Sequence, residues 1–123
     1  MLTLSPDDRA MLDGLAESGD AIVARAIGWC AINSGSRNLA GLDEMALPLV
    51  AAMEAIGPVE RRPLPDTQEV AADGTIRAAK TGDALMLRVR PEAPVQIALT
   101  GHYDTVYPAE TRFCTVMTRV SAG

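Results

Sequence analysis

The residue types that could carry chemistry cluster in one short stretch, Gly101-His102-Tyr103-Asp104-Thr105-Val106. His102 is the only histidine among 123 residues. In extended backbone, positions i and i+2 point to the same side, so the Asp104 carboxylate can accept a hydrogen bond from one imidazole nitrogen. That bond would fix the tautomer and leave the other nitrogen for a metal ion or a proton. The alternative is structural, because a single histidine in a turn is usually hydrogen-bonded into the fold and a nearby aspartate usually forms the turn.

The segment before this motif predicts the strand that positions it. Apolar side chains at positions 95, 97 and 99 alternate with uncharged ones, and no charge falls on either face. Such a strand is typical of a central position in a sheet. Ligand sites in open α/β sheets lie beyond the carboxyl ends of the strands. We therefore expect His102 at the C-terminal end of a central strand over residues 95–100, with Asp104 close to its ring.

Helical patterns occupy the first forty per cent of the chain. Ser5 can cap a first helix and Pro6 suits its first position. Apolar residues at helical spacing predict a second helix over residues 21–32, which ends at Asn33-Ser34-Gly35-Ser36, a cluster of turn and capping residues. We expect Ser34 and Ser36 to be capping residues rather than nucleophiles, because no second histidine is available as a base. A third helix is predicted over residues 42–56, with a bend at Pro48.

Two further segments have strand character. Residues 59–64 lie next to prolines and predict an edge strand, and residues 84–90 alternate as a half-buried strand does. Residues 66–83 are polar and have no periodicity. The order of three helices and then three strands predicts an α/β fold in which the N-terminal helices pack on a mixed sheet.

Composition excludes several classes of protein. Hydrophobic residues make up 48% and charged residues 22%, which is ordinary for a globular domain. With 11 basic against 16 acidic residues and a net charge of −5, a nucleic-acid partner is not expected. The two cysteines, Cys30 and Cys114, form no CxxC and fit a reducing compartment. The N-terminus resembles no signal peptide and no apolar run is long enough to span a bilayer, so we expect a cytoplasmic protein without a membrane partner.

The motif at residues 101–106 resembles the GHxDTV signature of the zinc-dependent aminoacylase/carboxypeptidase family. That family includes acetylornithine deacetylase, succinyl-diaminopimelate desuccinylase and glutamate carboxypeptidase. Residues 97–100 resemble the strand before the signature, and residues 32–36, Gly41-Leu42 and Ile56-Gly57 resemble the family's N-terminal segment. The resemblance covers about residues 20 to 113, and Tyr107 makes it most similar to the glutamate carboxypeptidase branch.

The resemblance implies a metallopeptidase or amidohydrolase with a zinc exopeptidase-like fold. It implies that His102 is a metal ligand to one zinc of a two-ion site, and that Asp104 belongs to the catalytic centre as the residue that orients this imidazole. The implied substrate is a small peptide or an N-acyl amino acid, whose amide bond is cleaved. The implied dimerisation region is missing, so a homodimer could form only in the full-length form.

The rest of the family's site has no counterpart in this sequence. The bridging aspartate, the general-base glutamate and the further ligands lie downstream of the signature in the family, whereas here no acidic residue follows Glu110. We therefore expect residues 1–113 to be the N-terminal part of an incomplete metallopeptidase-like catalytic domain. Residues 114–123 are expected to be a non-matching tail that reflects a truncation, a frameshift or a genuine end.

The absence of the family's further site residues from the sequence bears on the activity and the stability of this chain. It should be inactive on its own, and it should be poorly stable or prone to associate, because its best predicted strand has few neighbours to cover it. The competing hypothesis is a short non-catalytic α/β domain that binds a partner through its unfinished sheet edge. Zinc stoichiometry distinguishes the two, since the second requires no metal.

Overall fold

The computed structural model describes residues 3–112. These residues form a small α/β fold with three helices and two small antiparallel sheets. The described chain divides into two compact units, the first ending at Ala31 and the second beginning at Ile32. The tail predicted at residues 114–123 lies outside the described residues.

The first unit is a pair of helices, α1 (Pro6–Glu17) and α2 (Gly19–Cys30), which contact each other. The Ser5 cap is confirmed: its hydroxyl accepts from the Asp8 amide at 3.1 Å, and the Asp8 carboxylate accepts from the Ser5 amide at 2.9 Å. This reciprocal pair satisfies two backbone donors at the helix start. Neither helix has a buried residue. In the part of the chain that the structure describes, no helix combines the length and the apolar character needed to cross a bilayer.

The second unit is built around α3 (Leu39–Glu54), which continues through Pro48. Asn38 caps it, because its side-chain oxygen accepts from the Gly41 amide at 3.1 Å. The side-chain amide of Asn38 donates to the Asn33 carbonyl at 2.8 Å, which ties the helix start to the preceding turn. The buried hydrophobic side chains among the described residues of the unit lie on the first half of this helix: Leu42, Met45 and Ala46.

Four short strands follow: β1 (Val59–Arg62), β2 (Thr67–Val70), β3 (Ile76–Ala79) and β4 (Ala84–Leu87). β1 pairs with β4 and β2 with β3, both antiparallel, and α3 contacts both β1 and β4. Arg61 of β1 forms ion pairs with Asp43 of α3 and, at 2.6 Å, with Asp83 just before β4. This guanidinium therefore links the helix to both strands of the sheet it contacts.

The predicted sheet is wrong in three respects. In place of one mixed sheet, the described residues form two separate two-stranded antiparallel ladders. Residues 66–83, where the sequence shows no periodicity and no strand was predicted, contain the β2–β3 hairpin. Residues 95–100 form no strand; Ile97 is 81% and Leu99 93% exposed. A central strand needs hydrogen-bonded neighbours on both sides, and none of the described strands pairs with this segment.

Candidate functional site

The site is organised by a contact between two distant segments of the second unit. Gly35 forms an isolated parallel bridge with Thr105. The Thr105 amide donates to the Ser34 carbonyl at 2.8 Å, and the Ser36 amide donates to the Thr105 carbonyl at 2.8 Å. The turn before α3 therefore holds the residues that directly follow His102 and Asp104.

Asn33 and Gly35 explain why the turn can hold this loop so closely. The Asn33 side-chain amide donates to the carbonyls of Pro108 and Thr111, each at 2.8 Å. Gly35 is buried, and a Cβ atom at its position would overlap the Tyr107 carbonyl oxygen. Only a residue without a side chain fits against this backbone, so the sequence Asn33-Ser34-Gly35 is matched to the loop that it carries.

His102 and Asp104 meet as the motif predicts. The His102 Nδ1 lies 3.0 Å from Asp104 Oδ1 and 3.0 Å from the Asp104 carbonyl oxygen. An ionised carboxylate and a backbone carbonyl can only accept hydrogen bonds, so Nδ1 must carry the proton. In the neutral ring the lone pair is then on Nε2. Because the His102 side chain is 85% exposed, that lone pair is accessible to a metal ion or a proton donor.

Asp104 is held from its other side by Ser36. The Ser36 hydroxyl donates to Asp104 Oδ2 at 2.6 Å and lies 2.9 Å from the Thr105 carbonyl oxygen. The hydrogen bond from Ser36 lowers the pKa of Asp104, partial burial opposes this effect, and the bond from His102 adds to it. Asp104 is therefore a carboxylate at neutral pH and can accept from Nδ1.

An open groove of about 820 Å³ lies beside this pair within the second unit. Its lining combines apolar and polar side chains; the apolar ones are Leu42, Leu49, Met53, Leu64, Ala84, Leu85 and Leu99, and the polar ones include Ser36, Asp83, His102, Tyr103 and Asp104. Tyr103 donates its hydroxyl to the Asp83 carbonyl at 2.7 Å. Desolvation, more than the charge of Asp83, raises the pKa of Tyr103, so it remains a neutral phenol. The groove can accept an apolar group next to the imidazole.

The predicted location of His102 and Asp104, at the C-terminal end of a central strand, is wrong. His102 follows an exposed segment that forms no ladder within residues 3–112, rather than the end of a central strand. Ser34 and Ser36 were expected to be capping residues, but Asn38 caps α3. Ser36 instead binds Asp104, 68 positions away, and no local pattern could have identified a pair so far apart.

Ser34 is 1% exposed, and its hydroxyl has no hydrogen-bond partner among the described residues.

The described residues fit one position of a zinc site. An imidazole whose Nδ1–H donates to a carboxylate, with Nε2 exposed, is the usual arrangement of a histidine ligand and its orienting partner. Catalytic zinc normally takes three protein ligands. Within residues 3–112, no group of three or more His, Cys, Asp or Glu side chains could hold a metal ion. The pair fits part of such a centre and does not complete one.

No family model, curated protein or solved structure matches this chain. The resemblance of residues 101–106 to the zinc-dependent family therefore stays a prediction. The geometry of His102, Asp104 and Ser36 is independent of that resemblance and supports its own chemical argument.

Proposed function

We propose that this chain is the N-terminal portion of a zinc-dependent metallopeptidase or amidohydrolase that cleaves an amide bond of a peptide or an N-acyl amino acid. In this proposal His102 supplies one zinc ligand through Nε2, and Asp104 orients the ring through Nδ1. A bound zinc pair would polarise the amide carbonyl and activate water. The remaining ligands would come from outside the described residues, so the chain alone is expected to be inactive.

The observation that carries the proposal is the double acceptor environment of His102 Nδ1. With Nδ1 engaged, Nε2 carries the lone pair of the neutral ring, which is how an orienting carboxylate presents a histidine ligand. Here the Asp104 carboxylate and carbonyl direct the proton to Nδ1, and the ring stands out from the protein surface beside the groove. The groove offers space for an apolar part of a substrate close to that nitrogen.

Zinc binding to His102 can be measured directly, because the chain has a single histidine. The protein is labelled with 15N and titrated with Zn²⁺, and the imidazole nitrogens are followed by long-range 1H–15N spectroscopy. Thiols also bind zinc, so Cys30 and Cys114 are first replaced by serine. We expect weak binding, a shift of Nε2 and an unchanged Nδ1–H.

Two results would contradict the proposal. Coordination through Nδ1, or no Nε2 shift at millimolar zinc, would remove the ligand role of His102. His102→Ala is the matched control, followed through the backbone amide signals around residue 102, which should shift with zinc in the wild type and not in the variant.

Zinc-supplemented protein should not cleave N-acyl amino acids or glutamate-terminated amides. Turnover that depends on His102 would overturn the expected inactivity and would require ligands from another subunit.

The family assignment has a separate test in the gene. Translation beyond the codon for Gly123 in all three frames should reveal a glycine-rich segment with an aspartate, followed by a Glu-Glu pair. These residues would supply the bridging ligand and the general base that the resemblance implies. If every frame lacks them, the metallopeptidase proposal fails even if His102 binds zinc.

One observation favours a second candidate, a short non-catalytic α/β domain that binds a partner through its unfinished sheet edge. Val95, Ile97 and Leu99 are 74%, 81% and 93% exposed. They lie in a segment without ladder hydrogen bonds to other described residues. An exposed apolar edge is a template for pairing with another chain. Partner binding of this kind would survive His102→Ala and would be lost in Ile97→Asp, the reverse of the pattern expected for the zinc ligand.

A further inference from the structure

We propose that Ser36 is a positioning residue that sets the orientation and the tautomer of His102 through Asp104. The inference rests on the proposed function only in so far as that function makes His102 a metal ligand. The effect on the imidazole itself can be measured without a metal. Neither the motif at residues 101–106 nor the expected capping role of Ser36 assigns it this task.

The two oxygens of the Asp104 carboxylate are divided between two donors. Ser36 donates to Oδ2 at 2.6 Å, and His102 donates to Oδ1 at 3.0 Å. A carboxylate with a single donor can rotate or exchange its oxygens, whereas one held at both oxygens has a defined plane. The Ser36 hydroxyl therefore fixes the direction from which Oδ1 meets the imidazole.

His102 depends on this support because packing does not hold its ring. Its side chain is 85% exposed, whereas the Asp104 side chain is 42% exposed and Ser36 is half-buried. Hydrogen bonds at Nδ1 are then the main constraint on the imidazole. An exposed hydrogen bond that is not held in place competes with water and contributes little.

Ser36 is itself fixed to the backbone that carries Asp104. Its amide donates to the Thr105 carbonyl at 2.8 Å, and its hydroxyl lies 2.9 Å from the same oxygen. The serine and the aspartate are thus positioned by one bridge between two segments. The arrangement also excludes Ser36 as a nucleophile activated by His102, because its hydroxyl bonds to the carboxylate and not to the imidazole.

The test compares Ser36→Ala with Ser34→Ala by 15N spectroscopy of the single imidazole at a pH where it is neutral. Both changes remove one hydroxyl from the same turn, but only the Ser36 hydroxyl contacts Asp104. We expect Ser36→Ala to lower the ratio of the Nδ1–H to the Nε2–H tautomer by roughly two- to tenfold, the range for one modest hydrogen bond. Ser34→Ala should leave the ratio unchanged, and Ser36→Thr, which keeps a hydroxyl, should restore it.

The backbone amide signals of Gly35 and Thr105 report whether the bridge survives each change. If they keep their positions and the tautomer ratio of Ser36→Ala equals that of the wild type, the positioning role is refuted. Equal losses in Ser34→Ala and Ser36→Ala would also refute it, since they would indicate a general effect on the turn. A tautomer shift in Ser36→Ala without zinc binding at Nε2 of the wild type would support the positioning role and contradict the proposed function.

Discussion

Replacing Gly35 by alanine should uncouple the turn before α3 from the loop after His102. The new Cβ atom would overlap the Tyr107 carbonyl oxygen and would lie 3.2 Å from Asn33 Oδ1 and 3.3 Å from the Tyr107 carbonyl carbon. Since the main obstacle is backbone, no rotamer change relieves it and the two segments must separate. The hydrogen bonds on either side of the bridge, Thr105 to Ser34 and Ser36 to Thr105, would lengthen.

The cost can be worked from these contacts. Overpacking a close approach costs about 1–3 kcal/mol, and each weakened backbone hydrogen bond costs about 0.5–1.5 kcal/mol. Because one movement relieves the overlap and stretches both bonds, we expect the free energy of unfolding to fall by about 2–4 kcal/mol. Urea unfolding, followed by circular dichroism and by the amide signals of the second unit, measures it.

Gly101→Ala is the matched control for this change. Gly101 is adjacent to His102, but a Cβ atom there meets nothing within 4 Å. Its replacement should change the free energy of unfolding by less than about 0.5 kcal/mol, as for an open surface site. Similar costs at both positions, or a cost below that limit at Gly35, would refute the reasoning from close approach.

Three further results are expected. In the folded protein the pKa of Asp104 lies below its ordinary value of 3.8, chiefly because Ser36 donates a hydrogen bond to it. The ionised carboxylate therefore stabilises the fold fully above the pKa that Asp104 has in the unfolded chain, and this stabilisation is lost as the pH falls through its lower pKa in the folded protein. The difference in unfolding free energy between the wild type and Asp104→Asn should therefore shrink between about pH 5 and 2. A difference that stays constant over this pH range would contradict the prediction. Gly28→Ala, in α2 with open space around it, should raise helix stability by about 0.5–1 kcal/mol in thermal melts, and a loss would contradict the open environment. Leu99→Ser should leave the unfolding free energy within about 0.5 kcal/mol of wild type and reduce concentration-dependent association in light scattering, whereas a large loss of stability would mean that Leu99 is buried.

Local signals in the sequence predicted the helices and part of the strands. Ser5-Pro6 marks the start of α1, and the residues of β1 and β4 lie within the segments where strands were expected. The β2–β3 hairpin was missed, although Asp73-Gly74 is a turn signal: Gly74 adopts φ +82° and the Asp73 carboxylate accepts from the Thr75 amide. The hairpin was missed because its strands are polar and mostly exposed, so they lack the pattern that would have drawn attention to the turn between them.

The non-local features could not be read in the same way. Alternation over residues 95–100 describes which side chains could share a face, but it does not supply neighbouring strands. The pairing of His102 with Asp104 was predictable, because the two residues are two positions apart. The contribution of Ser36 was not, because it arises only when the chain folds back on itself.

The hydrogen bonds from Ser36 to Thr105 join residues that are 69 positions apart, and closing this long loop determines when the site forms. Closing a loop of that length costs roughly 4 kcal/mol of chain entropy, whereas α3 and the β2–β3 hairpin close only short loops. The helices and the hairpin should therefore form early in folding, and the pairing of Asp104 with Ser36 should be late to appear and early to open. Because this entropic cost grows only with the logarithm of loop length, doubling the number of residues between the two segments would add only about 0.6 kcal/mol. Insertions at the Asp73-Gly74 turn should thus be tolerated by the contact between Ser36 and Asp104, which depends little on the number of residues between them.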